Sequence, residues 1–422
     1  MVSYSSSEMK RNMPSPCDIL SYLPDNVIEN ILIFLPLRDA VKTSVLSKKW
    51  RRNWVTLPHL AFDDTFRNKP PRELMLTIYQ VLLLHQGPIL KFTLSLPGFK
   101  CCPEIKHLIS FLARNDIQDL TLCFSSSDWS RGSPKLLETI FACLQLRHLH
   151  LSYCLFDPPP TFEGFDNLIS IEFQDVPFEV DILKTFICKC PLLERLTLKG
   201  CFYIGNLDID APKLKFLYIH ARWHATFLPS NAYRKALKNS ETSVIIGFFR
   251  SLPVIESLNV GYQCWQFLAA GNVPDRLPAN LKYLKTLELP ALRFEFLREF
   301  SCALCLIRSS PNLQKLRLGV GYTKSDTADN VKTVDKFVES QDFSDISLNK
   351  LREVEMQIND FSKPEMEFVK LLLVKSPLLE TMHIRQRDGD FYNGYRILKE
   401  VTRFRRASST AEIIYFGPNE KP

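Results

Sequence analysis

Nine residues at positions 190–198 decide the fold of this chain: Cys190-Pro191-Leu192-Leu193-Glu194-Arg195-Leu196-Thr197-Leu198. The Cys-Pro pair predicts a turn, and the apolar residues at positions 193, 196 and 198 predict a short strand with one buried face. The same apolar-x-x-apolar-x-apolar pattern starts at ten other residues, which are Ile89, Ile117, Leu146, Leu168, Leu214, Ile255, Leu284, Leu313, Leu351 and Leu379. The chain is therefore expected to consist largely of repeated strand units.

The spacing of these units resembles that of leucine-rich repeats. Eight of the ten intervals between starts lie between 21 and 29 residues, close to the period of roughly 20 to 29 residues of that class. Cys154 and Cys201 follow the last leucine of their unit by three residues, where the class places Asn or Cys. The pattern predicts an α/β fold in which residues 63–347 form an irregular solenoid of parallel strands with helices outside. The two longer intervals predict an extra loop at residues 323–347 and a degenerate repeat around residues 243–246.

The N-terminal segment has a different periodicity, which predicts three short helices. The apolar residues on one face of the first helix are Val27, Ile28, Ile31, Leu32 and Leu35. Pro36 is expected to end this helix, and Asp39 and Ser47 are expected to cap the second and third. A unit of about 45 residues buries too little surface to be stable alone. Its apolar face therefore needs a cover, either another protein or the domain that follows.

The order of residues in this segment closely resembles the F-box. The matching features are Leu23-Pro24, Ile31-Leu32, Leu35-Pro36 before Asp39, and Ser47-x-x-Trp50. The resemblance implies that residues 18–62 dock onto a Skp-type adaptor, which a cullin connects to a RING subunit of a ubiquitin ligase. The positions that match the motif, and to which adaptor contact is carried over, are Leu23, Pro24, Ile28, Ile31, Leu32, Leu35, Pro36, Leu37, Leu46 and Trp50.

The C-terminal part resembles the FBD region of plant proteins that combine an F-box, leucine-rich repeats and FBD. A strand pattern after Leu351 is followed by an amphipathic helix at residues 364–375, a Ser-Pro turn and a strand-like segment at residues 411–416. Residues 348–416 are expected to add two strand units and to close the end of the solenoid. Residues 1–17 are predicted to be a disordered tail, and residues 417–422 a second tail.

The composition indicates an ordinary globular protein. Hydrophobic residues make up 45% of the 422 residues, and the chain contains neither a signal-peptide core nor a run of about 18 apolar residues that could span a membrane. The protein is expected in the cytoplasm, the nucleus or both, with reduced, mainly buried cysteines. The net charge of +7 is concentrated in residues 385–406, where a solvated basic face is favoured over nucleic-acid binding.

No residue set predicts a metal site, a cofactor or catalysis. Cys302 and Cys305 form a C-x-x-C pair without a second pair, and His220 and His224 lack an obvious third ligand. The sequence contains no Gly-rich phosphate loop or nucleophile elbow. An autonomous enzyme, such as a Cys-His hydrolase, is therefore disfavoured.

Strand alternation predicts which side chains line the open face of the solenoid. In the strand around Leu196 and Leu198, these leucines point into the core and the alternate residues point outward. The outward residues chosen as candidate target contacts are His148, His150, Arg195, Lys199, Phe216, Tyr218 and Arg317. Exposed aromatic and Arg side chains are favoured because they carry much of the binding energy at protein interfaces.

Two hypotheses of function follow. The leading one is a substrate-recognition subunit of a Skp-cullin-F-box ubiquitin ligase, whose solenoid binds an unidentified target protein. The alternative is a leucine-rich-repeat receptor for an anionic small molecule or peptide, with or without ligase assembly. The four cations that suggest the alternative are Arg195, Lys199, Lys315 and Arg317.

Overall fold

One sheet of thirteen parallel strands, arranged in sequence order, forms the centre of the computed structural model. The residues described are 20, 23–67, 69–96, 99, 102–125, 138–177, 182–201, 209–220, 243–321, 328–359, 362–387, 391–418 and 420. The strands are β1 (His59–Phe62), β2 (Lys91–Ser95), β3 (Asp119–Cys123), β4 (His148–Ser152), β5 (Ser170–Gln174), β6 (Arg195–Lys199), β7 (Phe216–His220), β8 (Ser257–Val260), β9 (Thr286–Leu292), β10 (Lys315–Val320), β11 (Glu353–Ile358), β12 (Thr381–Gln386) and β13 (Glu412–Phe416). The predicted solenoid of parallel strands is confirmed.

The eleven repeats predicted from the sequence form strands β2 to β12. In the central repeats, Leu196 of β6 pairs with Ile171 of β5 and with Leu217 of β7, and all three side chains are buried. Cys201 follows β6 and its thiol donates hydrogen bonds to backbone carbonyl oxygens, as predicted for this position. Leu57-x-x-Leu60-x-Phe62 has the same apolar pattern and forms β1, which lies inside the range predicted for the F-box.

Helices occupy most of the connections, because parallel strands require crossovers between them. They are Pro71–Leu84, Glu104–Arg114, Ile182–Cys188, Val244–Arg250, Tyr262–Leu268, Leu297–Ser309, Ala328–Ser340, Lys363–Lys375 and Phe391–Val401, with 3₁₀ helices at Asp64–Phe66 and Glu138–Ala142. The predicted helix at residues 364–375 is therefore confirmed, one residue longer. Ser362 and Glu365 form a capping box at its start, which satisfies backbone N–H groups that a helix leaves unpaired.

The connection between β4 and β5 contains no helix in residues 153–169. Phenylalanine side chains fill this part of the core instead. The ring of Phe156 lies 4.9 Å from that of Phe173 and 4.8 Å from that of Phe186, measured between centroids. Phe162 and Phe165 are also 4.9 Å apart. These rings supply the apolar surface that a helix provides in other repeats.

The N-terminal helices differ in detail from the prediction. The helices are Asp25–Ile33 and Leu37–Lys42, followed by 3₁₀ helices at Thr43–Val45 and Trp50–Thr56. Asp39 does not cap the second helix, because Pro36 occupies the N-cap position. The backbone of Pro36 is extended, and its carbonyl oxygen accepts the first hydrogen bonds of the helix. Ser47 likewise does not cap the third, which begins at Trp50 as a 3₁₀ helix.

Both long intervals between repeats contain helices. The segment predicted as an extra loop at residues 323–347 contains the helix Ala328–Ser340. The degenerate repeat predicted around residues 243–246 is wrong, because those residues begin the helix Val244–Arg250 and β7 pairs directly with β8. A short run of β-branched residues does not distinguish a buried helix from a strand.

The C-terminal region extends the sheet by β11, β12 and β13. β13 pairs with β12 on one side and forms the edge of an open sheet, and Ile413, Ile414, Tyr415 and Phe416 are only half-buried. This open edge differs from the predicted closure, since in the described residues no further strand pairs with β13. The predicted tail at residues 1–17 lies outside the described residues.

Replacing Leu198 by alanine tests the assignment of the two sheet faces. Leu198 is fully buried, so Leu198→Ala is expected to lower the free energy of unfolding by about 2 to 5 kcal/mol. Thr197→Ala is the matched control in the same strand, because the side chain of Thr197 points to the opposite face and is expected to cost less than about 1 kcal/mol. Urea denaturation followed by circular dichroism measures both, and similar losses would contradict the assignment.

Candidate functional site

The N-terminal helices carry large apolar side chains that are exposed within the described part of the chain. Phe34 and Val45 are each 87% exposed, Leu46 is 48% exposed, and Ile31 and Ile33 are also exposed. These five are called the exposed N-terminal residues below. Isolated apolar side chains are common on protein surfaces, but such a concentration in a short segment indicates an interaction site.

The ten residues predicted to contact an adaptor fall into three groups. Ile28, Leu32, Leu37 and Trp50 are buried, Leu23 and Leu35 are half-buried, and Pro24, Ile31, Pro36 and Leu46 are exposed. The buried residues belong to the hydrophobic core that continues into the first repeats. The indole N–H of Trp50 donates to the carbonyl oxygen of Leu20 at 2.9 Å.

The sequence interpretation missed Phe34 and Val45. Phe34 lies one residue beyond the first helix, and Val45 ends a 3₁₀ helix. The apolar stripe of a helix predicts the buried face, so residues outside the stripe at the helix ends are not identified by periodicity. The sequence does place two adjacent apolar residues, Ile33 and Phe34, outside the stripe, and this pair was the available signal of an exposed apolar site.

Polar contacts attach the N-terminal helices to the solenoid. Arg38 donates to the carbonyl oxygen of Thr65 at 3.0 Å. Nδ1 of His85 lies 2.7 Å from the carbonyl oxygen of Val55, and the backbone N–H of Gln86 donates to the same oxygen at 2.8 Å. Burial lowers the pKa of His85, which favours the neutral imidazole as the donor in this contact. The exposed N-terminal residues are therefore presented from a fixed position.

The open face of the sheet forms the second candidate site. In-register pairing places its side chains in rows that run from strand to strand. One row of contacts begins at β5, where Glu172 accepts a hydrogen bond from Lys199 of β6 at 2.6 Å. The Lys199 ammonium lies 5.8 Å from the ring centroid of Tyr218, and Tyr218 stacks on His220 at 4.6 Å.

The same row continues through β8 to β11. His220 and Asn259 are joined by a hydrogen bond of 2.8 Å between Nε2 and Oδ1. The amide of Asn259 donates to Glu288 at 2.6 Å, and Glu288 accepts from Arg317 at 2.9 Å. Arg317 also lies 3.2 Å from Glu355. A connected polar network thus spans seven strands, from β5 to β11.

The remaining predicted target contacts lie on the same face. The Arg195 guanidinium stacks over the ring of Phe216 with 4.5 Å between their centres. His148 lies 4.0 Å from Asp119, and Lys315 is paired with Glu353. Three of the four cations considered for anion binding, Lys199, Lys315 and Arg317, therefore have carboxylate partners.

His150 lies in a cavity at the carboxyl ends of β1 to β5. The cavity has a volume of about 530 Å³, and its walls include Leu96, Cys123, Phe124 and Ser152. Nε2 of His150 is 3.9 Å from Sγ of Cys123 and 3.2 Å from Oγ of Ser152. Cys123 was not among the residues chosen from the sequence, which treated the cysteines as mainly buried structural thiols.

The other candidate metal ligands are placed apart or occupied. His220 lies in a strand and bonds Asn259, while His224 lies outside the described residues. Cys302 and Cys305 are buried in one helix, and burial raises the pKa of both thiols. Across the described ranges, no three His, Cys, Asp or Glu side chains are grouped as metal ligands. The helices in these ranges are also too short or too polar to cross a membrane.

Changing Asn259 to aspartate tests the network on the open face. Asn259→Asp removes the N–H donor to Glu288 and places two carboxylates side by side, so the protein is expected to lose about 1 to 3 kcal/mol of stability at pH 8. The repulsion raises the pKa of the carboxylates in the folded state, and its cost should diminish as they become protonated below about pH 5. Thermal melting between pH 4 and pH 8 measures this difference.

Asn167→Asp provides the matched control. It adds the same charge at an exposed residue, whose amide contacts the neutral side chain of Gln145 at 3.3 Å. A pH-independent difference between the two variants would mean that Asn259 and Glu288 do not interact as described.

Comparisons with known proteins identify both parts of the chain. The F-box domain model matches residues 20–59, and the model for the leucine-rich repeats of FBD-associated F-box protein At5g56370 matches residues 105–318. The F-box/FBD/LRR-repeat protein At1g13570 of Arabidopsis thaliana is 34% identical over 418 residues, covering 94% of this chain and 98% of the relative. The probable FBD-associated F-box protein At1g32375 of the same plant is 22% identical over 432 residues, covering 94% of this chain and 100% of the relative. The chain therefore belongs to the F-box/FBD/LRR-repeat protein family.

Proposed function

We propose that this chain is the substrate-recognition subunit of a Skp-cullin-F-box ubiquitin ligase. The N-terminal helices dock onto a Skp-type adaptor, which a cullin connects to the RING subunit, and the open face of the solenoid holds a target protein. Membership of the family supports a general role as a ubiquitin-ligase substrate adaptor. The observation that carries the more specific proposal is the group of exposed N-terminal residues, which leaves apolar surface for a partner on a fixed platform.

The exposed N-terminal residues can supply the energy for this association. Covering one large apolar side chain contributes about 1.5 to 3 kcal/mol. Phe34 and Val45 are almost completely exposed, so the full contribution of each is available. The hydrogen bonds from Arg38 to Thr65 and from His85 to Val55 keep the N-terminal helices in place against the solenoid before binding, which reduces the ordering cost.

The ten F-box positions have two roles, which are direct contact with the adaptor and support of the N-terminal helices. In this proposal Pro24, Ile31, Pro36 and Leu46 touch the adaptor directly, together with Phe34 and Val45. Ile28, Leu32, Leu37 and Trp50 are buried and act by holding the helices in the orientation that presents the exposed side chains. Leu23 and Leu35 lie between these two groups.

Target recognition is assigned to the open face of the solenoid. Arg195, Phe216, Tyr218 and Arg317 are the strongest candidate anchors, because aromatic and Arg side chains dominate interface energetics. His148 and His150 lie in the same register rows as Phe216 and Tyr218, and the ammonium of Lys199 lies over the ring of Tyr218. The chain itself breaks no bond and uses no cofactor in this proposal. It acts by holding a target lysine near the partner enzyme that carries ubiquitin, which raises their effective concentration.

The geometry does not favour the alternative of an anion receptor. Lys199, Lys315 and Arg317 each pair with a carboxylate, so an anionic ligand would have to displace Glu172, Glu353 or Glu288. We place the protein in the cytoplasm, the nucleus or both, where the ligase subunits and their targets meet.

The adaptor contact is tested with a double variant, Phe34→Asp and Val45→Asp. The two charges would be buried against the adaptor, so binding is expected to weaken by at least about 100-fold, which corresponds to roughly 2.7 kcal/mol. Surface plasmon resonance with a purified plant Skp-type adaptor measures the dissociation constant. Leu378→Asp is the control, because Leu378 is 49% exposed but lies near β12, far along the chain from the N-terminal helices.

Circular dichroism of both variants separates lost contact from lost fold. Unchanged adaptor affinity in a folded double variant would refute the assignment of these residues. An intact protein that binds no Skp-type adaptor would refute the proposed function as a whole.

The target surface is tested by affinity purification of the full chain while ubiquitin transfer is blocked, so that bound targets are recovered with it. Proteins enriched by the native chain are expected to be lost with Phe216→Ala and Tyr218→Ala, because these rings lie on the open face. Tyr283→Ala removes an exposed aromatic ring outside this face, 54% exposed, and is expected to retain the same proteins. Equal recovery with all variants would show that another surface selects the target.

A further inference from the structure

Cys123 and His150 form a chemical pair that the proposed ligase function does not use. Register pairs Cys123 of β3 with Ser152 of β4, and His150 lies two residues earlier on β4, on the same face. Sγ of Cys123 and Nε2 of His150 are 3.9 Å apart, and Oγ of Ser152 lies 3.2 Å from the same nitrogen. All three side chains line the cavity of about 530 Å³.

The surroundings favour charge separation within this pair. Burial raises the pKa of Cys123, but hydrogen bonding to His150, Ser152 and Ser95 and the charge of His150 outweigh burial, so the pKa is lowered overall. Burial lowers the pKa of His150, but contact with Cys123 and the charge of Glu172 outweigh burial and the opposing charge of Lys199, so the pKa is raised overall. Both shifts favour a thiolate beside an imidazolium.

Another half-buried thiol of the same chain behaves in the opposite way. Burial and the neighbouring carboxylate of Glu104 raise the pKa of Cys102 to about 11. Cys102 and Cys123 are both partly buried. They differ in their partner, which is a carboxylate for Cys102 and an imidazole for Cys123. Cys102 therefore serves as an internal reference for Cys123.

We propose that this cavity is a covalent binding site for small, uncharged α,β-unsaturated carbonyl compounds, with Cys123 as the nucleophile and His150 as the proton donor. The Cys123 sulfur forms a bond to the β carbon, and the electron pair of the carbon–carbon double bond moves toward the carbonyl to give an enolate. The proton of the His150 imidazolium then passes to the α carbon. The product is a neutral thioether and a neutral imidazole, so no oxidant or leaving group is needed.

The lining of the cavity selects this class of compound. Its volume lies within the roughly 300 to 1,000 Å³ of small-molecule sites. Leu96 and Phe124 provide an apolar wall, and the side-chain amide of Gln174 provides a donor for a carbonyl oxygen. Asp63 and Asp64 line the same cavity, and their carboxylates disfavour an anionic ligand. A thiolate is a soft nucleophile and an enone is a soft electrophile.

The proposal goes beyond ligase assembly, because it depends only on the open face at β1 to β5. An adduct on Cys123 would lie beside His150 and near Glu172 and Lys199, where the polar network begins. It would change the surface that a target meets without changing the N-terminal helices. Adaptor binding and adduct formation can therefore succeed or fail independently.

The first experiment compares Cys123 with Cys102 in the full chain. The protein is treated with acrylamide, a small neutral unsaturated amide, between pH 5 and pH 9, and peptide mapping by mass spectrometry follows each cysteine. The pKa of Cys123 is lowered and that of Cys102 is raised to about 11, so Cys123 carries the larger thiolate fraction at pH 7. The lower intrinsic nucleophilicity of the weaker base offsets part of this gain. Cys123 is therefore expected to react at least about tenfold faster than Cys102 at pH 7, and comparable rates would overturn the proposal.

The second experiment tests the role of His150. His150→Gln is expected to slow labelling of Cys123 at pH 7 and to move the midpoint of its pH profile upward, while the rate at Cys102 stays constant. The unchanged rate at Cys102, together with the melting temperature, reports that the variant is folded. If the pH profile of Cys123 is unaffected, His150 does not activate the thiol and the proposal is wrong. If the variant does not fold, the comparison of the two cysteines in the native protein still decides the matter.

The third experiment tests the cavity rather than the thiol alone. An aryl enone, 4-phenyl-3-buten-2-one, is used as a probe that fits the apolar wall. Its rate of addition to Cys123 is expected to saturate with concentration, because binding in the cavity precedes the reaction. A rate that rises linearly to the solubility limit of the probe would mean that the cavity does not bind such compounds.

Discussion

Every repeat of this protein depends on its neighbours for burial, because a single strand and its connection cannot enclose an apolar face. The thirteen strands pair in parallel and almost entirely in register, so leucine or another apolar residue meets its equivalent in the next repeat. Register has a second effect, since a slip of one residue would exchange the buried and open faces. Pairing of the inner face therefore also determines the position of every polar side chain on the open face.

The network from Glu172 to Glu355 follows from this register. Residues that are 20 to 40 positions apart in sequence become neighbours at hydrogen-bond distance, as Asn259 and Glu288 do. Opposite charges alternate along the row, so most cations on this face are balanced locally. The face is therefore suited to a protein surface with its own mixed polar groups and aromatic contacts, more than to a single anion.

The N-terminal unit follows the same rule at the end of the solenoid. Ile28, Leu32, Leu37 and Trp50 join the continuous core of the repeats, so the small unit obtains part of its stability from the chain that follows. Phe34 and Val45 remain outside that core. The buried residues of the stripe therefore face the solenoid core, as one of the two expected covers requires. Cover of the neighbouring exposed side chains by another protein remains the proposal.

The sequence alone determined the repeat positions, because the spacing of apolar residues directly reflects the alternation of a strand with one buried face. It also determined the F-box, whose residues occur in a specific order, and the open-face positions of His150, Arg195 and Tyr218. It did not determine the helix at residues 244–250 or the exposure of Phe34, since local apolar patterns do not specify the secondary structure or cover of short segments. Only the tertiary structure placed Cys123 beside His150 and connected the polar network from Glu172 to Glu355, because those contacts depend on the register between strands that are distant in sequence.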